Sequence, residues 1–418
     1  MQQNSHKALP VRIAGVVIPL LFSIVLTFAL LEIGFRLFPQ TIPAGACRQS
    51  EMLSDSYCRW FHDFSDPALG YVFKPFYHYE GIWDSANPQV AYAEEITCPR
   101  DYTAAFWHEL SADGHGFVNP WPWQEHYDIV LTGDSFTQQY ASTYWLDLVR
   151  QRTGMSVLNL GIGGWGTLSE IAAVQEFGLD RSPDWVILMY YDGNDLFNSG
   201  QYADRAASGE DWLSYEMAQF PWYEKLVVPH VLRFWAGQIS GAGRPHIPAS
   251  EEECRYPITV NTNYGSFETL FSDINISHLS RTRDQIERSR EWKLISQGLL
   301  DLDAAVEAQG GRFLIIYVPS REHVYWGQIW DQRDLENFLM ATAPQRSFDE
   351  YGETVAAQVG LFQDFTARHH IEFLDLTGPY WLAAREQGAM YNYADDHWND
   401  AGNELAAQLI GDYLLQGP

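Results

Sequence analysis

Tyr127-Asp-Ile-Val-Leu-Thr132, running straight into Gly133-Asp-Ser135-Phe-Thr137, is the stretch on which the fold turns. Its apolar, β-branched half reads as a buried strand, and Gly-Asp-Ser breaks it into a turn. An amphipathic helix is expected next, with Tyr140, Trp145, Leu148 and Val149 on its apolar side and Gly154 as its stop. The same alternation recurs downstream. Strands are predicted at 157–160, 185–190, 312–318 (stopped by Pro319) and 373–376. Helices are predicted around Ile171, Val174 and Phe177, near 291–309 and 351–369, and from Asp400 onward. Such a series implies an α/β domain with a largely parallel sheet and right-handed crossovers. In an open sheet of this kind ligands bind at the carboxyl ends of the strands, which is where Ser135 falls. A helix starting there would direct its N-terminus and the Ser135 N–H towards an oxyanion.

Taken alone, Gly-Asp-Ser is an ordinary helix-capping tripeptide. The ends of the next two strands supply its context. Asn159-Leu-Gly161-Ile-Gly163-Gly164-Trp-Gly166 follows one, and Gly193-Asn194-Asp195 follows the other. Glycines let the backbone approach a reacting carbonyl, and an Asn amide donates to an oxyanion without a permanent charge. A fourth element, Asp395-Asp396-His397-Trp398-Asn399, stands just before the terminal helix. A serine nucleophile needs a base, and the base needs an acid to fix its tautomer, so Asp395 and His397 in one loop meet both needs. A metal site is disfavoured there because no second His or Cys completes a ligand shell. His108, His115 and His126 stand isolated and read as packing or surface residues.

These four blocks, in this order, resemble those of the SGNH/GDSL hydrolases over roughly 127–198 and 310–415. The resemblance implies a three-layer α/β/α, flavodoxin-like sandwich with no cofactor and no metal. It assigns Ser135 as nucleophile and His397 as general base. The Ser135 N–H, the Gly164 N–H and the Asn194 side chain would form the oxyanion hole, with Asp134 in support. The usual D-x-x-H spacing would put the acid at position 394, which is Ala. The D-x-H-W form resembles the membrane-associated branch that includes alginate-type polysaccharide O-acetyltransferases. It nominates Asp395, with Asp396 the weaker candidate. Pro319-Ser-Arg-Glu-His-Val-Tyr325 also looks like that branch.

Outside the blocks, residues 13–38 read as a transmembrane anchor after a short tail, 1–12. Ile13 to Leu31 carries no charge, and the length spans a bilayer. A cleaved signal peptide or a buried helix would show the same run. Cleavage is poorly placed, since Ala44-Gly45-Ala46 lies well beyond it and Cys47 lacks an upstream Leu. Glu32 and Arg36, at i,i+4, extend the helix towards Pro39. Lys7 and Arg12 before the span, against Arg36 and Arg48 after it, favour a cytoplasmic N-terminus and an extracytoplasmic catalytic domain, periplasmic in a bacterium. Residues 39–125 read as a stalk and irregular region, and 126–418 as the catalytic domain, with an aromatic-rich insertion at 199–290. Cys47, Cys58, Cys98 and Cys254 show no metal-binding spacing, and in an oxidising compartment one or two disulfides are expected, Cys47 with Cys58 being the nearest pair.

Acidic residues outnumber basic ones by 54 to 26, so nucleic acid is excluded as a partner. Aromatics make up 15% of the chain, enough to build a core and still wall a binding cleft. The expected substrate is an acyl ester, either an acylated glycan or a small ester. The leading reading is a membrane-anchored serine ester hydrolase acting through an acyl-enzyme. The alternatives are an O-acyltransferase that modifies an exported polysaccharide with a multispanning acyltransferase partner, and a noncatalytic glycan-binding module.

Overall fold

The computed structural model describes residues 8–48, 50–54, 56–66, 68–83, 106–138, 144–240, 255–329, 348–393 and 396–416. The main helices are α1 (Ala8–Leu37), α2 (Trp145–Thr153), α3 (Thr167–Ala173), α4 (Asp195–Ser208), α5 (Val227–Ser240), α6 (Arg290–Ala308), α7 (Arg321–Tyr325), α8 (Ala357–His369), α9 (Thr377–Gln387) and α10 (Asp400–Gln416). The chain divides into two compact units. One takes in 1–60 and 213–248, the other 61–84, 95–212 and 249–418.

The larger unit holds five parallel strands: β1 (Ile129–Thr132), β2 (Val157–Asn159), β3 (Trp185–Tyr191), β4 (Arg312–Val318) and β5 (Glu372–Asp375). Their spatial order is β2-β1-β3-β4-β5. This is the doubly wound order in which the chain reverses direction beside β1, and it places a crevice at the carboxyl end of that strand. All of β1 and β3 is buried, and alternate residues serve opposite faces. Ile129, Leu131, Ile187, Met189, Leu314 and Ile316 join Trp145, Leu146 and Val149 of α2 and Ala406, Ile410 and Leu414 of α10 in one core. Val130, Val186, Leu188, Phe313 and Ile315 are buried on the other face, where α3 meets β1 and β3, and α6 meets β4. Each such aliphatic side chain contributes about 1.5–3 kcal/mol when fully buried, so both faces stabilise the sheet and three layers result.

The strand and helix bounds fall close to those predicted, with two differences. The helix expected at 351–369 is broken at Ala356, after β-branched Thr354 and Val355, into Phe348–Val355 and α8. The 199–290 segment is divided between the units. Helix α4 and the antiparallel hairpin Arg255–Thr262/Gly265–Ser272 belong with the sheet, whereas 213–248 belongs with the N-terminal residues.

In the smaller unit, α1 carries an apolar stretch, Val16–Leu37, of mean hydropathy 2.5, long and apolar enough to cross a bilayer. Arg36 Nε donates to Glu32 Oε1 at 2.7 Å, and the helix stops at Leu37, before Pro39, as the i,i+4 pair predicted. Cys47 and Cys58 form a disulfide inside a small core with Ile42, Leu53, Val227 and Val231. Cys98, Cys254 and Tyr140 lie outside the described residues.

Candidate active site

Ser135 follows β1 directly and is partly exposed, whereas Asp134 beside it is fully buried. Asp134 shapes the turn. Its Oδ1 accepts the Phe136 N–H at 2.9 Å, and its carbonyl accepts the N–H groups of Thr137 and Gln138, both at 3.1 Å. Ser135 Oγ stands 3.5 Å from Asp134 Oδ2. The described residues after Ser135 form this single turn, and helix is described only from Trp145, closed by left-handed Gly154. The turn at Ser135 is thus held by the aspartate before it, and the continuation expected at 139–143 lies outside the described residues. Burial raises the Asp134 pKa, while the Phe136 N–H, His397 and the Ser135 N–H and Oγ pull it back down.

The two neighbours of β1 end in the loops that hold Gly164 and Asn194. Beyond β2, Gly164 has φ +80°, a conformation that favours glycine. A Cβ on it would also meet the Tyr71 hydroxyl at 2.6 Å. Tyr71 donates to the Gly163 carbonyl at 2.8 Å, and the Gly163 N–H reaches Gln138 Oε1 at 2.5 Å. Beyond β3, Asn194 occupies the N-cap of α4 without capping it, and its Oδ1 is buried with no hydrogen-bond partner among the described residues. Asn198 Nδ2 of α4 donates to the Gly164 carbonyl at 3.0 Å and so ties the two loops together. His278 Nδ1 hydrogen-bonds the Gly193 carbonyl, and burial lowers its pKa, so the imidazole next to Asn194 stays neutral near pH 7.

His397 sits in a loop closed by a bridge between Tyr391 and Trp398. Asn392 binds the His397 carbonyl through its N–H at 2.9 Å and its Nδ2 at 3.2 Å. Asn399 Oδ1 accepts the Gly402 N–H at 3.0 Å in the first turn of α10. Arg321, at the start of α7 and fully buried, grips this loop. Its Nη1 donates to the carbonyls of Asn392 and Tyr393 at 3.2 and 3.3 Å, and its Nη2 to Asp396 Oδ1 at 2.6 Å. Glu322, next to Arg321, accepts Ser272 N–H at 2.8 Å and Asn275 Nδ2 at 3.0 Å. Asp396, the weaker acid candidate, thus spends one oxygen on Arg321. Asp395 lies outside the described residues.

Ser135 and His397 line one cleft together with Phe136, Gln138, Tyr144, Trp398 and Asn403. The Phe136 ring packs 5.1 Å from the His397 ring and 4.9 Å from Trp398, which gives the cleft an aromatic wall. Gly164 and Asn194 do not line that cleft, and stand instead at the strand ends on either side of β1. Sequence reasoning missed Arg321, His278 and Tyr71. Only the Ser-Arg-Glu-His run after β4 hinted at the first.

Behind this edge lie two further buried acids. Glu170 accepts no hydrogen bond at either carboxylate oxygen among the described residues, and Asp195 accepts only the Tyr191 N–H at Oδ2, 2.9 Å away. Burial, then neighbouring acids, push both pKa values well above the ordinary carboxyl range, which favours the neutral form of each in the fold. Among the described residues a grouping of His126, Asp128 and Asp184 could offer metal ligands, but it adjoins the amino ends of β1 and β3.

No protein-family model matches the chain, and no curated protein matches it. Solved structures similar to it include a lipase/acylhydrolase from Enterococcus faecalis, with 15% identity, 68% of this chain and 93% of that chain covered, and a TM-score of 0.32. An acetyl xylan esterase is 12% identical, with coverages of 68% and 98% and a TM-score of 0.33. A GDSL-like lipase from Bacteroides thetaiotaomicron is 9% identical, with coverages of 69% and 87% and a TM-score of 0.33. A protein described as a putative SGNH hydrolase, from Slackia heliotrinireducens, is 12% identical, with coverages of 68% and 97% and a TM-score of 0.32.

Proposed function

We propose that this chain is a membrane-anchored serine ester hydrolase of SGNH/GDSL type, with its catalytic unit outside the membrane. The single observation that carries the reading is that Ser135 and His397, from opposite ends of the sheet unit, line one cleft at the carboxyl edge of β1. His397 takes the Ser135 proton as Oγ attacks an ester carbonyl, and Asp395 fixes the imidazole. The carbonyl oxygen, now negative, is held by the Gly164 N–H and the Asn194 amide, with the Ser135 N–H joining as it turns from Asp134. Collapse expels the alcohol, protonated by His397, and leaves an acyl group on Ser135. Water, activated by His397, then releases the acid. If a sugar hydroxyl replaces water, the same acyl-enzyme performs O-acyl transfer.

The test is p-nitrophenyl acetate turnover by the wild type and Ser135→Ala, with and without an oligosaccharide. Acetate release that depends on Ser135 and ignores the sugar is expected. Acetylated sugar would make the chain a transferase, and release that survives Ser135→Ala would end the serine reading.

A further inference from the structure

Helix α5 is apolar on two sides but covered on one. Val227 and Val231 are buried in the disulfide core with Phe234 packed against it, and Val228 is buried as well. On the stripe that starts at Val228, Leu232 at i+4 is 55% exposed, Trp235 at i+7 51% and Ile239 at i+11 87%, and in the turn leading into the helix Trp222 is 76% and Tyr223 55% exposed. Single exposed hydrophobes are ordinary, but five large ones on one helix and its leading turn make a patch of the kind that marks an interaction surface.

A second feature identifies what covers it. The first turn of α5 is capped by Glu32 of α1. Glu32 Oε1 accepts the Val227 N–H at 3.1 Å, and Oε2 the Val228 N–H at 3.0 Å. A carboxylate there satisfies two otherwise unbonded N–H groups and matches the helix dipole. Arg36, bonded to Glu32, also donates to the Lys225 carbonyl at 2.7 Å. These bonds fix the start of α5 at the level where the uncharged run of α1 ends, which for a membrane span is the headgroup zone. Trp and Tyr concentrate at that depth, because their rings are apolar and their N–H and O–H groups remain wet.

We propose that the Trp222-Tyr223 turn and the Leu232-Trp235-Ile239 face of α5 lie in the bilayer interface, as an amphipathic element bound to a lipid surface beside the span. The inference rests on reading α1 as a membrane anchor. The strongly acidic chain points to zwitterionic rather than anionic lipid.

The test uses the full chain in phosphatidylcholine vesicles whose acyl chains carry bromine near the headgroup or near the bilayer centre, after an alkaline carbonate wash. Tryptophan emission should be quenched more by the shallow bromines, and W222F/W235F should lose about half or more of that quenching. If the double variant is quenched as strongly as wild type while the chain survives the wash, the interfacial placement is wrong and the anchor stands. Release of the chain by carbonate would overturn the anchor reading, and this inference with it. Anionic vesicles are the control, and equal quenching there would remove the preference for zwitterionic lipid.

Discussion

At the Ser135 turn the shaping hydrogen bonds join neighbours in sequence or adjoining strand ends, such as Asp134 to Phe136 and Gln138 to Gly163, while the glycine loop beyond also takes Tyr71 from 92 positions away. On the His397 side they reach across the fold. Arg321 holds Asn392, Tyr393 and Asp396, the hairpin gives the Leu270 N–H to the Tyr393 carbonyl at 3.1 Å, and Tyr391 donates to the Pro319 carbonyl at 2.6 Å. One wall is local and the other is tertiary. Taking a guanidinium and two carboxylates out of water costs several kcal/mol per ion, so this network is better understood as fixing the loop than as stabilising the fold.

The largest test of that contrast is Ser135→Ala, which should lower turnover by roughly 10⁴-fold or more with unfolding in urea unchanged. Next comes Arg321→Met. Removing the guanidinium takes the countercharge from half-buried Asp396 and fully buried Glu322, so stability should fall by about 3–5 kcal/mol and turnover should fall too, both read on the same preparation. Unchanged stability would break the contrast, because the His397 loop would then stand without its tertiary grip. Asn194→Ala should cost about 10²–10³ in turnover and leave the urea midpoint in place; a loss below severalfold would remove it from the oxyanion hole.

The smallest expected effect concerns the acids behind the wall. Glu170 has a folded pKa raised above its ordinary 4.5, chiefly by burial. The unfolded chain therefore releases this proton first as pH rises, and stability present below about pH 4.5 declines above it until the folded pKa is passed. Glu170→Gln should flatten that decline, measured as the urea midpoint against pH. An unchanged slope would mean that Glu170 is ionised in the fold.

The local wall was legible in the sequence, and so was the sheet. Continuous apolar runs such as 312–318 mark strands buried on both faces, and Gly-Asp-Ser, the glycine run and Gly-Asn-Asp fall at their ends because turn formers end strands. His397 was singled out from its place just before the terminal helix. Arg321 was not, because a buried arginine and a surface one look alike until the partners 71 to 75 positions away are folded against it. The break at Ala356 was missed because the apolar spacing continues through it.

The hydroxyl of Tyr71 bears on how the gene is cut. A fragment begun at residue 126, where the regular strands and helices set in, would discard the ring that braces the Gly163 carbonyl and the Asn119 amide that bonds the Asn159 carbonyl at 2.8 Å. Such a fragment could keep Ser135 and His397 and yet lose the shape of the glycine loop beside them. An inactive product of that cloning would indict the start codon before the chemistry.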